Sequence, residues 1–278
     1  MKKERKNKSS NITILCIIFV VYFFITILLT VLYEMLPLQN FFGIWGKDSF
    51  YEAIVTGMYS SLLDFLVFSV LLTLLLSRWE TKNTIKKYLD EIEACRFWFS
   101  EQAAFKLRSL IRLLQEENVF SLNLTKCYLF NIKLKETKFI ECQMMGSILS
   151  NSNFEHSMFI ESDLQGALCE NTTFKSCTIQ RCKLRLLKCK DANMSSIKMY
   201  DCNLEMTDFT NVDLKYSILK NCDLKKVNFS DCNLERANLI GCKNIHVPDL
   251  VKCKSLKYAK LDEEIIDLVK RLRPSLLK

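Results

Sequence analysis

Residues 221–242 read NCDLKKVNFSDCNLERANLIGC, with Cys222, Cys232 and Cys242 ten residues apart. The chain holds 13 cysteines and two histidines. Even spacing of this kind raises three questions of chemistry: metal ligands, disulfides or thiol nucleophiles. The same stretch carries a shorter period. Leu224, Phe229, Leu234 and Leu239 fall every fifth residue, and Cys222, Val227, Cys232 and Ala237 lie two places before them. The cysteines therefore belong to a small-residue series inside a repeat of five.

Followed outward, the period holds from Leu124 to Leu239, 24 repeats without an insertion. The large series is Leu, Phe, Ile or Met except at Cys169 and Cys189; the series two places earlier is mostly Cys, Ser, Thr or Ala. A period of five fits neither a helix, near 3.6, nor a strand, at 2. Fixed-period similarity of this sort marks a solenoid, each unit burying its face against its neighbours. Two residues in five point inward and three outward, so the chain turns about every five residues.

The unit resembles that of the pentapeptide-repeat family: a small residue, Asp or Asn, Leu or Phe, then two polar residues. Asp208, Asp213, Asp223, Asn228, Asn233 and Asn238 occupy the acid-or-amide place. The resemblance implies a mainly β fold, a right-handed quadrilateral β-helix with four repeats per coil. The 24 repeats then give about six coils, roughly 29 Å long at about 4.8 Å per coil. Tyr128, Lys133 and Lys138 replace Asp or Asn in early repeats, so less regular turns are expected there.

A 20-residue coil stacks positions 20 apart. Cys142, Cys182, Cys202, Cys222 and Cys242 then share one inward column, and Phe209 stacks on Phe229, as Phe139 on Phe159 and Phe154 on Phe174. Cys169 stacks on Cys189, where Leu187 replaces the usual small neighbour, a size exchange that conserves core volume. Zinc requires four converging ligands, commonly from CxxC turns; the sequence has no CxxC. Disulfides fit poorly with a cytoplasmic setting. His156 is expected outward and His246 lies past the last clear repeat. The cysteines are read as small core fillers, and no catalytic residue, metal or cofactor is expected.

Two stretches suit a bilayer. Ile12–Tyr33 is 22 residues without a charge, and Ala53–Ser77 is 25 residues whose one charge is Asp64. Each is long enough for a hydrocarbon core of roughly 30 Å. The first is too long for a signal peptide's apolar region, and no small-residue cleavage site follows. Residues 1–11 carry five basic side chains and one acidic, and Arg78, Lys82, Lys86 and Lys87 follow the second stretch. The basic bias puts both termini in the cytoplasm. The expectation is a multi-pass protein of the bacterial cytoplasmic membrane, with a hairpin of spans at 12–36 and 53–77 and Trp45 and Trp79 at the interfaces. Asp64 lies mid-span, where an acid is a functional candidate. Thr56, Gly57, Ser60 and Ser61 lead to it at helical spacing, Gly57 and Ser61 permit close packing, and Tyr22 and Thr26 of the first span lie at similar depth. These are the expected membrane helix contacts.

The domains are read as a basic tail (1–11), a hairpin (12–78), a helical connector (79–118), the β-helix (119–245) and a C-terminal cap and helix (246–278). The connector has apolar residues at three- and four-residue spacing, with a break expected near 95–100. Asp262 is expected to cap the last helix. Residues 119–245 hold 17 basic and 14 acidic side chains; that near-neutral surface argues against nucleic acid as a partner. The leading expectation is a non-enzymatic, membrane-anchored scaffold presenting the β-helix to a cytoplasmic protein. The alternative is an oligomeric membrane-acting element, pore or signalling, whose partners are the lipid bilayer and further copies. A third reading comes from topoisomerase-binding DNA mimics of the resembled family; surface charge and the anchor weigh against it. No Gly-rich phosphate loop or triad-like grouping favours an enzyme.

Overall fold

The computed structural model describes residues 17–28, 31 and 48–278. The chain divides into two compact units, Met1–Thr84 and Ile85–Lys278. Trp45 and much of the expected first span lie outside the described residues.

The second unit is a parallel β-solenoid whose turns rest on one backbone feature. From Lys126 to Gly241 every fifth residue has a positive φ; only Gly146, Gly166 and Gly241 among these 24 positions are glycine. A left-handed residue bends the chain sharply. On three of the four sides the turn is closed by a hydrogen bond, as from Cys127 N–H to the Leu124 carbonyl (3.1 Å). Four such bends return the chain to its starting side after 20 residues. Coils are joined by a continuous ladder: Leu124 N–H donates to Gln143 O (2.6 Å), Lys126 N–H to Met145 O (2.9 Å) and Ile148 N–H to Cys127 O (3.0 Å). Each non-glycine in this conformation costs about 1 kcal/mol, offset by the ladder and the buried columns.

One side of the solenoid is a five-stranded parallel sheet: β1 (Lys138–Ile140), β2 (Met158–Ile160), β3 (Thr178–Gln180), β4 (Lys198–Tyr200) and β5 (Ile218–Lys220). The sheet counts five rungs against the six coils expected, because the next level keeps a single bridge, Ile218 to Asn238. The register is 20 throughout, Phe139 on Phe159 and Met199 on Leu219. Phe139 and Phe159 stack at 4.8 Å and 14°, Phe154 and Phe174 at 5.4 Å and 11°. Phe209 and Phe229 meet tilted at 39°, 6.0 Å apart.

The early turns are not less regular. Asn131, Glu136 and Glu141, which follow Tyr128, Lys133 and Lys138, have φ of 54, 56 and 53°, like the rest. Backbone bonds and inward side chains set the turn. Where Asp or Asn is present it adds a bond: Asp208 accepts the N–H of Thr210 at 3.0 Å and Asn228 that of Ser230 at 3.1 Å. Such Asx turns explain the residue preference without being required.

Both ends of the solenoid are covered. Helix α3 (Glu101–Glu116) starts at Ser100, whose hydroxyl accepts Ala103 N–H (3.1 Å), and ends with Asn118 at φ 60°, a left-handed stop. Its Ala104, Leu107, Ile111 and Leu114 join the core. Its Gln115 takes the place of a missing coil: the side-chain oxygen accepts Lys138 N–H (3.1 Å) and the nitrogen donates to Lys138 O (2.7 Å), covering the exposed edge of β1. At the other end the solenoid runs past residue 245. Helix α4 (Val247–Leu250) inserts two residues, so Asn233 bridges Ser255 and Asn238 bridges Lys260, while Leu256 and Leu261 continue the core. Helix α5 (Glu263–Leu272) and a 3-10 turn (Pro274–Leu277) follow. Asp262 stands at the start of α5 but does not cap it; its carboxylate accepts Gly241 N–H (3.4 Å).

The first unit holds α1 (Ile17–Leu28) and the N-terminal part of α2 (Asp48–Ala94). Within α2, Tyr59–Ala94 is the one described helix that length and composition qualify to cross a membrane; its most apolar window has mean hydropathy 2.1. Helix α2 is continuous through residue 78, from the expected second span into the expected connector, and ends at Ala94.

The left-handed positions make a direct prediction. Leu186→Gly relieves its bend (φ 59°) and should stabilise the protein by about 1 kcal/mol; Asn211→Val should destabilise it by about 1–2 kcal/mol, since a β-branched residue fits this region worst. Thermal unfolding of the full chain in detergent, followed by circular dichroism, checks both.

Candidate functional site

The cysteines of the solenoid face inward. Cys182, Cys202 and Cys222 are buried and Cys242, at the end of their column, is half-buried. Many of the small-series hydroxyls and thiols lie under a turn carbonyl of the preceding coil, 23 residues earlier; Ser147 Oγ instead donates to Met144 O in its own turn (2.7 Å), and Ser217 Oγ is buried with no partner among the described residues. Ser157 Oγ donates to Leu134 O (2.9 Å), Thr207 Oγ1 to Leu184 O (2.9 Å), Cys177 Sγ to Phe154 O (2.8 Å) and Cys242 Sγ to Leu219 O (3.2 Å). Ser, Thr and Cys recur because the place takes a small side chain carrying one donor. Burial pushes the Cys127, Cys177 and Cys182 thiols up from 9.0 to about 12. These are protonated structural groups, not nucleophiles. His156 is exposed beside Glu155, and His246 Nδ1 lies 2.8 Å from Asp249 Oδ2, also at the surface.

The outer surface is built of ladders that pair mostly with themselves. Lys135 meets Glu155 at 2.6 Å and Lys215 meets Glu235 at 3.0 Å; each lysine holds its partner's carboxyl below the usual range. Glu205 lies between Arg185 (3.4 Å) and Lys225 (3.1 Å). Asn211 donates to Asp191 (2.7 Å). Arg236 sits over the rings of Tyr216 and Tyr258, at 5.6 and 5.4 Å.

One region differs. The outward column Tyr128, Ile148, Leu168 is bridged coil to coil, at places that further along the same column hold Lys188, Asp208 and Asn228. Phe130 stacks on Tyr128 at 5.5 Å, and Phe99, 55% exposed, meets Tyr128 edge-on at 6.2 Å. Met145, on the adjoining corner, is 48% exposed. The loop that brings Phe99 here is held to the first coil by Phe97 N–H on Lys126 O (3.3 Å) and Arg96 Nε on Thr125 O (3.2 Å). The result is an apolar patch at the head of the solenoid, while further along it Leu186, Met206 and Ile240 are exposed singly or in pairs. Sequence reasoning missed it, although apolar residues at the acid-or-amide place were its signal.

In the first unit, Tyr22 Oη and Ser61 Oγ share a hydrogen bond of 2.7 Å. Thr26 is buried, its hydroxyl donating to Tyr22 O (2.9 Å), and Phe19 stacks on Phe65 at 6.2 Å. Gly57 and Asp64 do not belong to this contact. Both are exposed, and among the described residues nothing beyond α2's own neighbouring backbone lies within 4 Å of where a Gly57 side chain would begin. The reason is helical phase. Ser61, Leu62 and Phe65 mark the α1 side, and positions 57 and 64 lie roughly 90° and 110° round the helix from the middle of that group, at about 100° per residue.

The buried thiols give a pH prediction. Their folded pKa lies above the unfolded value, so the stability they contribute is complete below pH 9 and is lost as pH rises toward about 12. At pH 8 a maleimide should leave Cys127, Cys177 and Cys182 unlabelled in the folded protein and label them in guanidinium. Peptide mass mapping reads this out; labelling of these three without denaturant contradicts it.

The family model described as pentapeptide repeats matches residues 127–166 and 207–243, in eight copies. No curated protein matches the chain. Among solved structures, the chain is 16% identical to full-length QnrB1, a plasmid-mediated fluoroquinolone resistance protein, covering 55% of this chain and 99% of that one with a TM-score of 0.25. It is 16% identical to HetL of the cyanobacterium Nostoc sp. strain PCC 7120, covering 53% and 92% with a TM-score of 0.19. A pentapeptide repeat protein of the cyanobacterium Cyanothece 51142 is 17% identical, covering 54% and 93% with a TM-score of 0.23. With its five-residue unit, its 20-residue coil and the family match in agreement, the chain carries a solenoid of pentapeptide repeats.

Proposed function

We propose that this is a non-enzymatic, membrane-anchored interaction protein whose β-solenoid docks a cytoplasmic protein through the patch of Phe99, Tyr128, Phe130, Met145 and Ile148. The patch itself carries the reading. Elsewhere the outward columns largely pair with one another, whereas these side chains expose apolar surface to solvent. A cluster of that kind rimmed by polar groups marks an interaction surface, and aromatic and Met side chains are the usual anchors of one. The partner accordingly presents apolar side chains of its own. The anchor is supported by the apolar stretch of α2. A second span at 12–36 and the basic residues flanking both stretches support two passes with both termini in the cytoplasm.

A second reading, an oligomeric membrane-acting element governed by the solenoid, is favoured by Asp64, exposed on an apolar helix. Dye release from liposomes by the purified full chain, abolished in Asp64→Leu, would support it.

The docking reading is checked with a photo-activated cross-linking residue at position 145 and, on the opposite side of the solenoid, at position 198. In native membranes position 145 should yield a discrete adduct, identified by mass spectrometry, and position 198 none. Ile148→Lys should reduce the adduct about tenfold, the loss expected when a charge enters an apolar anchor. Equal yields at the two positions, or an adduct indifferent to Ile148→Lys, would sink the reading.

A further inference from the structure

Resting on the reading of α2 as a membrane span, we infer that a second copy of this chain packs against α2 along Gly57, Ser60 and Asp64. The helix has two unlike sides. Toward α1 it presents Ser61, bonded to Tyr22, Leu62, which is buried, and Phe65, stacked on Phe19. Gly57, Ser60 and Asp64 follow one another at three- and four-residue steps, so they form a single stripe, and all three are exposed.

Asp64 is the decisive member. It is the only charged residue between Ala53 and Ser77, and among the described residues it has no hydrogen bond or ion pair. Within a bilayer this carboxyl would meet lipid tails, which offer neither donor nor acceptor, and an acid at that depth is strongly disfavoured. Helix α1 does not relieve it, since its contact uses the other side of α2.

A second copy does. Two chains related by an axis along the bilayer normal bring identical residues to equal depth. Asp64 then faces Asp64, with the Ser60 hydroxyls one turn away. Protonated carboxyl and hydroxyl groups each carry both a donor and an acceptor, so the stripe complements itself. Gly57 and Ser60 supply the close approach that such contacts need in lipid. A foreign helix would have to bring a matching polar group at one depth; this chain carries its own.

The test uses the full chain in native membranes, with Ser60→Cys and Ser69→Cys compared under mild oxidation and wild type as the background of native thiols. Ser69 is half-buried on the α1 side. Ser60→Cys should give about tenfold more covalent homodimer than Ser69→Cys. In detergent, Asp64→Asn should keep the wild-type mass, and Asp64→Leu should weaken self-association roughly tenfold. Equal cross-linking of the two cysteines, cross-linking of Ser60→Cys to a different protein, or an Asp64→Leu variant with unchanged association would overturn the inference. Alkaline carbonate extraction of wild type separates the two layers of the argument. Release from the membrane overturns the anchor itself; retention with no Ser60→Cys dimer overturns only the contact between copies.

Discussion

A left-handed residue at every fifth position is the constraint on which the solenoid depends. It closes each turn, makes four turns a coil, and aligns residue i with residue i+20 for the backbone ladder. Inside and outside follow from it. The residue two places before each bend and the small one directly after it fill the core, as Leu124 and Cys127 do about Lys126; the remaining three face outward. The cost is backbone strain at non-glycine positions. It is borne because each bend is also where the N–H of the left-handed residue donates to the next coil, as Lys126 does to Met145 and Asn151 to Glu170.

The same geometry shapes what the protein can offer a partner. Stacked outward columns repeat every 4.8 Å or so, close enough for Lys135 and Glu155, or Arg185 and Glu205, to neutralise each other. A surface of satisfied ladders is soluble but says little to a partner. Specific recognition is better sought where the ladders fail, at Tyr128, Ile148 and Leu168 and the Phe99 loop beside them. In the first unit the same reasoning separates Ser61, whose hydroxyl has found Tyr22, from Asp64, whose carboxyl has no partner among the described residues.

The fold was legible because its period is written in side-chain size: large at 224, 229, 234 and 239, small two places earlier. The role of the small series was only half legible. Cysteine looked like filler, and its second property, a donor aimed at the carbonyl 23 residues back, needs the coil to be seen. The left-handed positions were also readable, since none of the 24 is Val, Ile, Thr or Pro. The end of the solenoid was not, because the two-residue insertion at α4 breaks the frame while Leu256 and Leu261 keep the core. Tyr128 was seen as a departure, but read as a defect of the turn rather than as surface. Helical spacing brought Gly57, Ser61 and Asp64 into one group; only the packed pair of helices shows which of them face α1.

Residue-resolved hydrogen exchange of the full chain in detergent tests the fifth-residue frame most directly. Leu149 and Asn151 donate to the next coil (2.7 and 2.9 Å) and Ile148 to the one before (3.0 Å), whereas the N–H groups of Met145, Ser150, Glu170, Arg185 and Lys190 have no hydrogen bond among the described residues. The account predicts fast exchange at those five positions, with protected amides on either side. Alternating protection with a period of two, or five amides protected like their neighbours, would contradict it.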